Sequence, residues 1–156
     1  MTESEKSGTF VVRNADDASA VLADVTDAQV HTLSSNPGVA EGEIVEATIS
    51  PDPPMNVTYS VVDVTERKTI PVEESEEPPT TQERDLAADQ PEGELTTRER
   101  AGIGEIHVLT VPEGETENAV ADVLDDEATV ERAARLDVNR VEIRSEPGVV
   151  AVRYLP

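Results

Sequence analysis

The sequence has no cysteine and no tryptophan, and only three aromatic side chains: Phe10, Tyr59 and Tyr154. The missing cysteines exclude disulfides, thiolate catalysis, zinc fingers and iron–sulfur clusters together. Two histidines, His31 and His107, leave little material for a histidine metal site or a Ser–His–Asp triad. No run approaches the roughly 18 apolar residues of a membrane span. The N-terminus, MTESEKSGTF, lacks the basic-then-apolar order of a signal peptide. Asn56-Val57-Thr58 matches a glycosylation sequon, and without a secretion signal it reads as a chance match. Any core must be assembled from Val, Ala, Ile and Leu, so it is small.

Lysine is also scarce. The 156 residues hold 34 acids and 12 bases, for a net charge of −22, and only Lys6 and Lys68 are lysines. That charge would repel phosphate backbones and acidic membranes at ordinary ionic strength. Many acids, few lysines, few large apolar residues and no cysteine instead suit molar intracellular salt, where the Debye length falls to about 3 Å. The net charges of residues 1–71, 72–104 and 105–156 are −8, −7 and −7. Acidity spread this evenly describes a solvent rather than an acidic tail. The expectation is a cytoplasmic protein of an extreme halophile, without a membrane partner.

Residues 1–7 are expected to fray, and residues 8–72 to form a small β-barrel. TFVVR (9–13), AVLADV (20–25), QVHTLS (29–34), EIVEATIS (43–50) and MNVTYSVVDVTER (55–67) read as short strands separated by turn residues. Val45, Ala47 and Ile49 alternate onto one face. Val57, Tyr59 and Val61 do the same until Val62 and Val64 switch parity, which predicts a bulge or a strand shared between two sheet surfaces. Five strands in so short a span suit a small closed barrel or a sandwich better than a helix-containing layer, and the barrel is the expectation. AEGEIVEATIS looks like the loop and strand of small oligonucleotide-binding (OB-like) and TRAM barrels.

Residues 73–102 have little to bury besides Leu86 and Leu95 and read as an acidic linker containing prolines. Within it, TTQERDLAADQ (80–90) can form a helix, with Glu83 at capping-box spacing from Thr80. Residues 103–156 read as a β-α-α-β-β module. EIHVLTV (105–111) is a strand, Thr116 can cap a helix to about Asp125, and 127–136 forms a second helix. NRVEIR (139–144) and VVAVRY (149–154) flank Ser145-Glu146-Pro147-Gly148, read as a four-residue turn that sets Arg144 opposite Val149 and Arg140 opposite Arg153. The fold class is α+β, two parts joined by a linker.

Three stretches carry a resemblance: GTFVVRNAD, AVLADVTDAQVHTLSSNPGVAEGEIVEATISPDPPM and VNRVEIRSEPGVVAVRYLP. Together they resemble an uncharacterised family of haloarchaeal proteins, a domain of unknown function. The resemblance implies a haloarchaeal, cytoplasmic protein and brings no activity, cofactor or catalytic residue with it.

Among candidate sites, neither histidine has a second histidine or a ligand spacing beside it. Asp16-Asp17 and Asp125-Asp126 read as turn and helix-break acids rather than a carboxylate pair in a cleft. Gly102-Ile103-Gly104 precedes a strand, whereas phosphate-cradling glycines follow a strand and open a helix. One asymmetry stands out. Residues 128–156 carry a net +1, with Arg132, Arg135, Arg140, Arg144 and Arg153, the last three sharing one face of the hairpin. Guanidinium binds carboxylate and phosphate bidentately, so these five are the candidate partner- or phosphate-binding residues. The expected function is non-catalytic binding to a protein partner, with no metal or cofactor. The alternative is a nucleic-acid-associated protein using the barrel or the arginine face, and a carboxylate enzyme is a distant third.

Overall fold

A computed structural model describes residues 5–100 and 102–156. The chain forms two compact units. The first runs to Ile70 and includes Val130–Arg135; the second holds Pro71–Thr129 and Leu136–Pro156.

In the first unit, β1 (Lys6–Ala15), β2 (Ala20–Asp24), β3 (Val30–Leu33), β4 (Ile44–Pro51) and β5 (Tyr59–Lys68) close into a ring of order β1-β2-β3-β5-β4. Four junctions are antiparallel; β3 meets β5 in parallel through Leu33 and Tyr59. The expected alternation on β4 builds the interior, where Val45, Ala47 and Ile49 join Phe10, Val12, Leu22 and Leu33 in one buried cluster. The parity switch on β5 is a double bulge, since the β4–β5 register shifts between Glu46 and Ala47 and again between Thr48 and Ile49. Val61 and Val64 pack on the core, and the intervening Val62 is 56% exposed. Fraying fails for Lys6 and Ser7, which pair with Ile49 and Thr48 in β1; residues 1–4 lie outside the described residues.

In the second unit, β6 (Val72–Glu74), β7 (Leu95–Glu99), β8 (Glu105–Thr110), β9 (Arg140–Glu146) and β10 (Val149–Leu155) form a sheet of order β6-β9-β10-β8-β7. The described residues also form helices α1 (Thr81–Ala88), α2 (Thr116–Asp125) and α3 (Glu127–Arg135), of which Val130–Arg135 belongs to the first unit. The segment expected to be a linker therefore supplies both edge strands and a helix. Its strands have few apolar residues because each borrows its partner from a more apolar neighbour, β6 in parallel from β9 and β7 from β8. Helix α1 begins at a complete capping box, with Thr80 as N-cap and Glu83 at N3. Thr116 does not cap α2. It is the first helical residue, and its hydroxyl donates to Glu113 O and accepts from Gly148 N.

The β9–β10 hairpin is tighter than expected. Glu146 pairs with Val149 and leaves only Pro147-Gly148 in the turn, with Gly148 at φ +87°, as position i+2 of a type II turn requires. The register slides by two residues, so each side chain keeps its face and only the partners change. Arg153 stands opposite Glu142 instead of Arg140, which replaces a like-charge pair by an opposite-charge one. Val141, Ile143, Val150 and Val152 are all buried. Helix α1 lies on the charged face, where Thr110 Oγ1 donates to Ala87 O at 2.8 Å.

Candidate functional site

The charged face is set by strand parity. Arg140, Glu142 and Arg144 alternate along β9, Arg153 lies beside Glu142 on β10, Ile106 is next on β8 and Arg98 follows on β7. Arg140, Arg144 and Arg153 converge on one carboxylate. Arg144 Nε donates to Glu142 Oε1 at 2.6 Å and Arg153 NH1 to the same oxygen at 2.8 Å. Arg140 NH1 stands 3.7 Å from Glu142 Oε2 and remains 55% exposed. Arg144 also reaches Glu77 Oε2 at 2.8 Å. Burial works to raise the Glu142 carboxyl, but the hydrogen bonds and charges of Arg144 and Arg153 together hold it below the ordinary carboxylate value.

Beneath α1, Glu83 is 1% exposed. Its Oε1 accepts from Thr80 N at 2.8 Å, while Oε2 faces Arg153 Nε at 3.4 Å, and neither facing atom makes a hydrogen bond. Arg132 and Arg135 do not join the cluster. They lie on the part of α3 that belongs to the first unit, where Arg135 Nε donates to Val25 O at 2.8 Å and Arg132 is likewise engaged.

Two arginines that the sequence reading passed over complete the face. Arg98 and Arg100 sit two residues apart at the end of β7 and line a pocket of about 320 Å³ with Gln82, Leu86 and Ile106. Glu83 closes the pocket from α1, and Glu99 borders it between the two arginines. Arg98 NH1 donates to Thr97 O at 3.2 Å and Arg100 NH1 to Ile103 O at 2.7 Å. Among the described residues neither has a carboxylate partner. By contrast, Lys6, Arg13, Arg67, Arg84 and the three arginines around Glu142 are all ion-paired. The signal was visible as arginines at strand spacing in LTTRER, but only the pairing of β7 with β8 puts both on one face.

The histidines are held structurally. His107 Nε2 lies 2.9 Å from Glu105 Oε1 and the ring lies 5.0 Å from that of Tyr154. His31 packs edge-on against Phe10 and Tyr59, with Lys6 Nζ 3.4 Å from its Nε2. Asp16 Oδ1 accepts from Ala18 N and Ser19 N in a turn, and Asp126 Oδ1 accepts from Ala128 N at the start of α3. Among the described residues no group of three or more His, Asp or Glu side chains is arranged to hold a metal ion. None of the helices there is long and apolar enough to cross a membrane.

Fold and site together define an α+β protein with a five-strand ring in one unit and, in the other, a sheet whose charged face ends in an arginine-lined pocket. The chain belongs to DUF5812, a family of unknown function whose family model matches residues 6–145. No curated protein and no solved structure matches it.

Proposed function

We propose that this is a non-catalytic binding protein of the cytoplasm of a halophilic archaeon, and that it takes an anionic group of a protein partner into the Arg98–Arg100 pocket. The observation that carries the reading is the charge pairing. In a chain with 34 acids and 12 bases, two guanidiniums that line the same pocket have no acid partner among the described residues. Each can meet a carboxylate bidentately, and a short charge-assisted contact of that kind persists where long-range attraction is screened. Leu86 and Ile106 add apolar surface for the carbon skeleton behind the charge. Arg140, the most exposed arginine around Glu142, offers a second contact.

The first unit supports an OB-type barrel through its ring order and its single parallel junction. A nucleic-acid role for it has less behind it. The loops that flank the binding face of such barrels carry Asp16, Asp17 and Asp52 here, and Lys6, Arg13 and Arg67 are committed to carboxylates. Phe10, buried at 0% exposure, cannot serve as a stacking platform.

Affinity capture from a haloarchaeal lysate in molar KCl, with and without nuclease, tests the reading. Nuclease-resistant protein partners that fall away when Arg98→Gln and Arg100→Gln are combined are expected. Partners that vanish with nuclease, or recovery unchanged by the double substitution, would overturn it.

A further inference from the structure

We infer that the partner is an extended acidic segment that adds to the outer edge of β7 as a sixth strand of the sheet, with its carboxylates on Arg98 and Arg100; the inference rests on the binding role proposed above. Strand β7 ends the order β6-β9-β10-β8-β7, and among the described residues it pairs with β8 alone. Its backbone polarity follows from two bonds that bracket it: Thr110 N donates to Glu94 O, and Arg100 N donates to Gly104 O. Even-numbered positions thus bond to β8, while Leu95, Thr97 and Glu99 turn their N–H and C=O groups to the open side. The carbonyl of Thr97 confirms the direction, since it is met by the guanidinium of Arg98 folded back over the edge. That contact is exposed and within one dipeptide, so an incoming amide can replace it.

An open edge of this kind is a template for another chain, and proteins that do not use one usually blunt it with charged side chains, a very short strand, proline, a bulge or a covering segment. Among the described residues Leu95–Glu99 has no proline, bulge or covering segment; it pairs with β8 in unbroken register, Leu95 is 52% exposed, and the charges it carries, Arg98 beside Glu99, repel a basic strand or an acidic one only at matching positions. Side chains on the same face of a strand recur every two residues, about 7 Å apart. Arg98 and Arg100 have that spacing, so alternate acids on an added strand reach both at once, facing α1 across Leu86. Main-chain bonds would supply affinity and the two guanidiniums the preference for acids, as in other strand-addition complexes. Glu99 alternates with the two arginines along the strand and borders the same pocket, which selects for neutral residues at the intervening positions of the segment.

The probe is a short acetylated peptide alternating Val and Glu, labelled for fluorescence anisotropy in molar KCl, with a Val–Gln peptide as control. Wild type is expected to bind the Glu peptide, with at least about tenfold weakening in Arg98→Gln/Arg100→Gln and in Thr97→Pro. The proline removes an outward N–H and leaves the β8 ladder intact. Methylating alternate peptide amides, in each of the two registers, gives the same test on unaltered protein should Thr97→Pro fail to fold; one register must abolish binding. If the arginine variant alone weakens binding and Thr97→Pro and both methylated peptides bind normally, strand addition is overturned and the anion pocket stands. If wild type ignores the peptide, the inference falls while capture through Arg98 and Arg100 still decides the binding role. A wild-type dimer in sedimentation equilibrium that Thr97→Pro dissociates would assign the edge to a second copy and also overturn the inference.

Discussion

Arg153 stands directly opposite Glu142 on adjacent antiparallel strands and donates to its Oε1 at 2.8 Å, on the oxygen that Arg144 shares. Removing that acceptor leaves two guanidiniums, each less than one-fifth exposed, without their central carboxylate. Glu142→Ala is expected to cost about 2–3 kcal/mol, because two partly buried guanidiniums lose their shared acceptor and keep only Glu77, which is mostly exposed, and Glu83, which Arg153 does not hydrogen-bond. Arg140→Gln, at the exposed corner, should change stability by less than about 0.5 kcal/mol. Urea melts of the two variants compare them directly, and equal losses would contradict the central role of Glu142.

The same carboxylate makes the second unit acid-sensitive. Its folded-state pKa lies below the ordinary value of 4.5, so the folded chain holds its charge after the unfolded chain has taken a proton. The resulting stabilisation is fully present above 4.5 and is lost as pH falls through the lower folded-state value. Stability measured from pH 6 downwards should therefore drop in this window for wild type, and drop less steeply for Glu142→Gln. Parallel curves for the two proteins would reject the assignment.

His31 works in the opposite sense. Burial first, and then the Lys6 charge, push its pKa below the ordinary 6.5, with Asp27 and Asp24 opposing. The unfolded chain takes the proton first, so this residue adds nothing above that pH and destabilises the fold progressively as pH drops below it. An NMR titration of the His31 ring should show a midpoint under 6.5, moved upwards by Lys6→Gln. A wild-type midpoint at or above 6.5 would refute the arrangement.

What the sequence made legible was what neighbouring residues decide. The alternation of Val45, Ala47 and Ile49 marked β4, the parity switch at Val62 marked the bulge, and Thr80 with Glu83 marked the capped helix. What it hid was non-local. Val72-Glu73-Glu74 becomes a strand because β9, nearly half the chain away, offers it a parallel partner. Leu95–Glu99 has one large aliphatic residue and becomes a strand because β8 accepts it. With β7 unseen, Arg98 and Arg100 were charges in a linker and the pocket had no wall. Parity correctly placed Arg140, Arg144 and Arg153 on one face even though the register was two residues out, because a slip of two preserves the face. The identity of the central partner, Glu142 rather than solvent or a ligand, depended on that slip.

Gly104 shows how tightly the second unit is closed at the start of β8. It precedes Glu105, which pairs with Tyr154, and it sits at φ +109°, where L side chains are strained. A Cβ built on it would fall 2.1 Å from the Tyr154 carbonyl oxygen, a backbone atom that cannot move without breaking the β8–β10 ladder. Gly102, at φ +105°, has nothing within 4 Å of the same added atom. The two glycines thus separate conformational strain from close approach within one loop. Gly102→Ala should cost about 1–2 kcal/mol, the strain of a positive φ alone. Gly104→Ala carries that strain plus the clash and should cost at least about 3 kcal/mol. Thermal melts and amide exchange of Tyr154 and its strand neighbours distinguish the cases: only Gly104→Ala should release protection at that end of β10. Equal losses in the two variants would show that backbone conformation, and not the approach to Tyr154, is what the second glycine serves.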